Sequence, residues 1–92
     1  MELNELRERI DGLDRRLVEL LERRMDVSSA IADYKAARGL PVLDETREAE
    51  KLAAIRALCR PETAEGIADV FRAVMAASRA VQSSRMEERH GG

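Results

Sequence analysis

Aromatic residues are nearly missing from this chain: there is no tryptophan, and Tyr34 and Phe71 are the whole complement. With no platforms for base stacking and a formal charge of -2 at pH 7 in place of a basic excess, the sequence carries no footprint for nucleic acid. Cysteine is reduced to Cys59, so no disulfide can close within the chain. One histidine, His90, adds no ligand set for a metal, and Cys59 reads as a small buried hydrophobe. No apolar run approaches the length of a membrane span, so no membrane role is expected. The start, Met1-Glu2-Leu3-Asn4, has neither the basic region nor the apolar core of a secretory signal, which gives a cytoplasmic expectation. A glycine-rich phosphate loop, a Cys–His pairing and a Ser–His pairing are all lacking. Nucleophilic catalysis and phosphoryl transfer therefore lack their parts.

What remains is a helical pattern. At 92 residues, 45% hydrophobic and 37% charged, the chain has the balance of one soluble helical domain over 1–92. Leu3, Leu6, Ile10, Leu13, Leu17, Leu20, position 24, Val27, Ile31 and Tyr34 recur at steps of three and four, the seam of one long helix. Gly39 and Pro41 stop it. A second helix opens at Asp44, turns Leu52, Ile55 and Cys59 to one face and ends near Arg60-Pro61. A third starts between Pro61 and Thr63 and carries Ile67, Val70, Phe71, Val74, Met75 and Val81. The polar stretch 86–92 is expected to fray as a flexible tail. A first helix of about 36 residues spans about 54 Å, whereas a compact chain of this size has a radius of gyration of only about 12 Å. Two short helices cannot cover such a seam, so a homodimer with paired long helices is expected.

Polar groups interrupt each apolar face. Arg24 takes a seam position where leucine is expected, and an unpaired buried guanidinium there is expensive. Ser28 and Lys35 share its side of the helix, Lys35 being three turns on to within about 20°. Ser78 and Gln82 sit one turn apart inside the stripe of the third helix. Glu48 precedes Leu52, Ile55 and Cys59 at steps of four, three and four, so it points inward as well. A single such group is commonly structural, and coiled coils use one to set register. Several that converge, two of them cationic, describe a cavity for an anion. With nucleophiles excluded, the chemistry open to that cavity is positioning and electrostatic stabilisation of developing charge.

The segments LRERIDGLDRRLVELLERRM, IADYK, GLPVLDETRE and SRAVQ, in that order and spacing, resemble the all-helical chorismate mutase family from Leu3 to about Ser84. The resemblance implies an all-α, intertwined homodimer of three-helix subunits that rearranges chorismate to prephenate, on the branch to phenylalanine and tyrosine, with no cofactor. It also implies roles for individual residues. Arg7 matches the arginine that reaches into the partner's site, and Arg24 the one that binds a substrate carboxylate within its own chain. Lys35 matches the lysine on a carboxylate and on the ether oxygen whose bond breaks, with Gln82 as second donor to that oxygen. Asp44 and Glu48 match the acidic positions near the ring hydroxyl, Arg47 the arginine beside them, and Ser78 a polar group at the carboxylate end. Lys35, Gln82, Arg24 and Glu48 are thus the expected catalytic set.

Some features depart from the family pattern. Arg79 follows Ser78 where some members carry an apolar residue, and it is expected to touch none of the named contacts. The connector around Arg60 to Thr63 is slightly short. Gly66 costs roughly 1 kcal/mol against alanine inside a helix, without evident reason. Relatives of the same fold act on isochorismate, as lyases that tend to lose the acid at the position of Glu48, or on amino-deoxychorismate. A non-catalytic helical dimerisation module is the other alternative, against which Arg24, Lys35 and Gln82 count, because a plain zipper is more stable with leucine at such places.

Overall fold

The computed structural model describes residues 1–91, with side chains through Arg89, and consists of α1 (Leu3–Arg38), α2 (Glu45–Leu58) and α3 (Pro61–Gly91). No strand occurs among the described residues, so the all-α expectation holds. The side chain of His90 and the end of the expected tail at Gly92 lie outside them.

Local chemistry sets the boundaries. At the end of α1, Gly39 takes the left-handed conformation with φ 65°, which only glycine adopts without steric cost. The amide of Leu40 then donates to the Lys35 carbonyl at 2.9 Å and that of Gly39 to the Ala36 carbonyl at 3.4 Å, the paired bonds of a Schellman ending. Asp44 caps α2: its Oδ1 accepts from the Arg47 amide at 2.9 Å. Glu45 and Glu48 in the first turn add negative charge where the helix dipole favours it. Pro61 opens α3, a position where its missing amide hydrogen is no loss.

The three helices lie in one layer. The chain measures 54 × 28 × 13 Å, so its thinnest dimension is less than half of the next. Its radius of gyration, 16.5 Å, exceeds the compact value of about 12 Å, as the length of α1 demands. α3 packs against both α1 and α2, while no Cα of α1 comes within 8 Å of one in α2. The apolar core is correspondingly thin: Ala32 and Ala68 are fully buried, joined by Ile55 and Met75. By contrast, every large apolar residue of α1 from Leu3 to Leu20 is exposed, as are Val27, Ile31 and Tyr34 further along the seam. Cys59 is half-buried and not deep in a core, with Sγ 3.2 Å from the Ile55 carbonyl. A Cβ added at Gly66 meets open space, and nothing in the structure explains that glycine. None of the helices is long and apolar enough to cross a membrane.

α3 continues as helix through the stretch assigned to a fraying tail, as far as Gly91. Arg85 holds Asp33 of α1 through two bonds of 3.0 and 3.2 Å, and Arg89, one turn on, reaches the same carboxylate at 3.0 Å. Hydrogen bonds from these two guanidinium groups lower the Asp33 pKa from 3.8 to about 2. A depressed carboxylate pKa contributes stability above the unfolded value that is lost as pH falls through the folded one. The difference in melting temperature between the parent protein and Asp33→Asn should therefore be full above about pH 4 and shrink toward pH 2. Thermal unfolding followed by circular dichroism across that range checks it; a difference that does not change with pH means the carboxylate charge is not what ties α1 to α3.

Candidate functional site

Because α3 separates α1 from α2, a cleft opens between those two helices with α3 as its floor. Its volume is about 390 Å³, within the range that binds small molecules. Each helix lines it with the same spacing. α1 supplies Arg24, Ser28, Ile31 and Lys35, with Val27 alongside; the start of α2 supplies Asp44, Arg47, Glu48 and Lys51; α3 supplies Met75, Ser78, Arg79 and Gln82. Offsets of 0, 3, 4 and 7 from Asp44, and again from Met75, trace one stripe along a helix.

The floor is a connected polar strip. Ser28 Oγ and Ser78 Oγ lie 2.5 Å apart, both buried, and Gln82 Nε2 points to Ser78 Oγ at 3.5 Å. Lys35 Nζ donates to Gln82 Oε1 at 3.2 Å and to the Val42 carbonyl at 2.8 Å. An ammonium has no lone pair, so Gln82 must turn its carbonyl oxygen toward Lys35, which leaves its NH₂ as the group free to donate. Lys35 in turn has three N–H donors, two of them engaged, and keeps one for a ligand. The bond to Val42 also fixes the α1–α2 turn, since the Schellman ending begins at Lys35 itself. Every buried side-chain nitrogen and oxygen among the described residues has a partner.

Of the residues singled out in the sequence, Arg24, Lys35, Asp44, Arg47, Glu48, Ser78 and Gln82 all reach this one cleft. Arg24, Lys35 and Glu48 are half-buried, Ser78 and Gln82 buried, and Asp44 and Arg47 exposed at the rim. Asp44 combines two tasks, capping α2 and lining the cleft. Arg7 is exposed on α1 and is not among the lining residues of its own chain. Two residues were missed. Lys51 lines the α2 wall, and the 0, 3, 4, 7 spacing from Asp44 was the signal for it. For Arg79 the expectation needs correction: Arg79 Nη1 pairs with Glu48 Oε1 at 2.5 Å, so it touches one of the named residues directly. Residue 79 lies one position past Ser78 and shares the stripe through Met75, four residues before it.

Five cationic side chains, those of Arg24, Lys35, Arg47, Lys51 and Arg79, thus face two carboxylates, those of Asp44 and Glu48. In a chain whose formal charge is -2, positive charge has been gathered into the cleft. That field favours an anionic ligand.

The family described as chorismate mutase type II matches residues 6–83. A chorismate mutase of Methanocaldococcus jannaschii is 29% identical over 89 residues, covering 94% of this chain and 89% of the relative. The T-protein of Enterobacter agglomerans is 38% identical over 78 residues, and that of Haemophilus influenzae 36% over 80. These alignments cover 80% and 85% of this chain but only 20% and 21% of the T-proteins, so the chain spans about a fifth of their length. No solved structure matches the chain.

The buried serine pair gives a stability test of the strip. Ser28→Ala or Ser78→Ala alone takes away the other serine's partner, and Ser78→Ala also removes the acceptor of Gln82 Nε2; each should cost about 1–3 kcal/mol, and because the hydroxyl–hydroxyl bond is lost only once, the double variant should cost less than the sum. Urea unfolding of the four proteins measures this; strictly additive losses mean that the two hydroxyls do not depend on each other.

Proposed function

The chain belongs to the chorismate mutase type II family, and from that premise we propose that it isomerises chorismate to prephenate, in the cytoplasm and on the route to phenylalanine and tyrosine. The observation that carries this reading is the concentration of cationic side chains in one cleft of an acidic chain. Chorismate is a dianion, and two carboxylates held by separate cations are held in a folded shape.

The rearrangement breaks the ether C–O bond while a C–C bond forms between the two ends of the same molecule. No proton or group leaves, and no covalent intermediate is required. The protein's tasks are to hold the reactive conformer and to meet the negative charge that grows on the ether oxygen. Lys35, through its remaining N–H, and Gln82, through its NH₂, are the two donors for that oxygen. Arg24 binds a carboxylate, with Ser78 at the same end of the substrate. Glu48 and Asp44 face the ring hydroxyl, and Arg47 stands beside them at the rim.

Arg7 completes the site from a second copy of the chain. Seventeen residues separate it from Arg24, about 26 Å along α1 and about 100° around it, too far for both to hold one small substrate from the same chain. An intertwined homodimer also answers the packing problem. A single layer 13 Å thick with an exposed leucine seam needs a second layer to bury its apolar face, and a second copy supplies one of matching length.

Mixing the purified protein with chorismate should remove the chorismate absorbance and yield prephenate. Release of pyruvate, or no consumption, overturns the assignment. Lys35→Ala should fold and lose roughly 100-fold or more in turnover, the usual cost of an oxyanion donor; near-normal turnover would remove Lys35 from the mechanism.

A complementation experiment tests the dimer and the site together. Arg7→Ala and Arg24→Ala should each be nearly inactive alone, and a refolded equimolar mixture should regain roughly a quarter of parental activity, because half the dimers are hybrids with one intact site of two. No recovery, with hybrids confirmed by mass spectrometry, means that the two arginines do not meet across an interface.

A further inference from the structure

We propose that Arg79 is a positioning residue that holds the Glu48 carboxylate in place and cancels its charge, so that the cleft accepts a dianion with an acid in its wall. The inference rests on the chorismate reading for the identity of the ligand but concerns a residue to which that reading gives no contact with the substrate.

The geometry is specific. Arg79 Nη1 lies 2.5 Å from Glu48 Oε1, which joins the middle of α3 to the first turns of α2. The two side chains are 34% and 26% exposed, so neither is free in solvent, and both line the cleft. Lys51 sits three residues on from Glu48 along α2 and also lines the cleft, yet makes no ion pair with it among the described residues. Among the described residues, Arg79 is the side chain that forms an ion pair with Glu48. A carboxylate has two oxygens and several acceptor positions. With Oε1 held by Arg79, Oε2 is oriented and available to accept from a ligand hydroxyl.

The alternative arrangement shows why this matters. An unpaired Glu48 in the same place would oppose each carboxylate of the incoming substrate across a partly desolvated gap, where like charges repel more strongly than in water. It would also be drawn toward Lys51, three residues on along its own helix, and away from the position a substrate hydroxyl requires. Arg79 prevents both without itself touching the substrate. Its contribution is therefore made to binding more than to the bond-breaking step, and it exists only while Glu48 is charged.

A kinetic cycle over four proteins tests this: the parent, Arg79→Met, Glu48→Gln and the double variant, with Arg79→Lys as a conservative control. Methionine keeps the apolar stem and removes the charge. We expect Arg79→Met to raise KM for chorismate about tenfold with kcat changed less than about threefold, and Arg79→Lys to restore most of the loss. In the Glu48→Gln background the same change should have almost no effect on KM. If Arg79→Met costs as much in that background, Arg79 acts on the substrate directly and the proposal fails. It fails equally if Arg79→Met leaves KM unchanged, or if kcat alone falls and lysine does not rescue it. Circular dichroism melts identify any variant that is unfolded, and Arg79→Lys, which keeps the charge, then decides by its KM alone. Absence of chorismate turnover in the parent protein would overturn the proposed reaction instead, so the two failures are distinguishable.

Discussion

The fold depends on one constraint: α3 has to serve both other helices at once, because α1 and α2 do not approach each other. A helix in the middle of a single layer has one partner on each flank and a strip between them that faces neither. On this chain the flanks rest on few buried apolar residues, Ala32, Ala68 and Ile55, with Met75 buried at the edge of the cleft. The strip between them carries Ser78, Arg79 and Gln82 and becomes the floor of the cleft. Polar groups are affordable there because each finds a hydrogen-bond partner, and because the gap they border is open to water or ligand.

Lys35 is where backbone capping and site chemistry coincide. Its carbonyl closes the end of α1, and its ammonium binds the Val42 carbonyl in the following turn and the Gln82 oxygen across the cleft. The turn is thereby tied to α3 by the same side chain that keeps a donor for a ligand. Asp44 plays the matching part on the other wall, ending the turn as the cap of α2 while bordering the cleft. The change of character within LPVLDETRE, from apolar to densely charged, follows from this: the apolar half belongs to the turn, and the charged half starts a helix whose first turns form a wall of the site.

On α1, packing and site construction draw on the same half of the helix. The N-terminal half of α1 contributes little to the packing of its own chain, since its large apolar side chains stay exposed. The C-terminal half carries the contacts with α3, and the Asp33 junction with Arg85 and Arg89 extends them to the end of the helix pair. A small chain that buries so few of its own apolar residues is marginal alone.

Periodicity and turn chemistry were enough to establish three helices, the length of α1 and the two turns between helices, because these are local properties written in spacing and in Gly39, Asp44 and Pro61; α3, expected to be short, runs for 31 residues. Arg24, Glu48, Ser78 and Gln82 were legible for the same reason, each falling on the apolar stripe of its own helix, and Ser28 and Lys35 because they share a side of α1 with Arg24. Arg79 was not. It lies on a polar-looking edge of the α3 stripe, where an arginine is ordinary, and only the placement of α2 against α3 brings Glu48 within reach of it. Lys51 had a signal in the spacing from Asp44, but only the opening between α1 and α2 makes that side of α2 a wall. The choice of Arg85 and Arg89 as partners for Asp33, and the continuation of helix to Gly91, also depended on tertiary structure, since pairing across 52 residues between Asp33 and Arg85 leaves no trace in local pattern. Sequence determined which faces the helices present; packing alone decided which charges on those faces would meet.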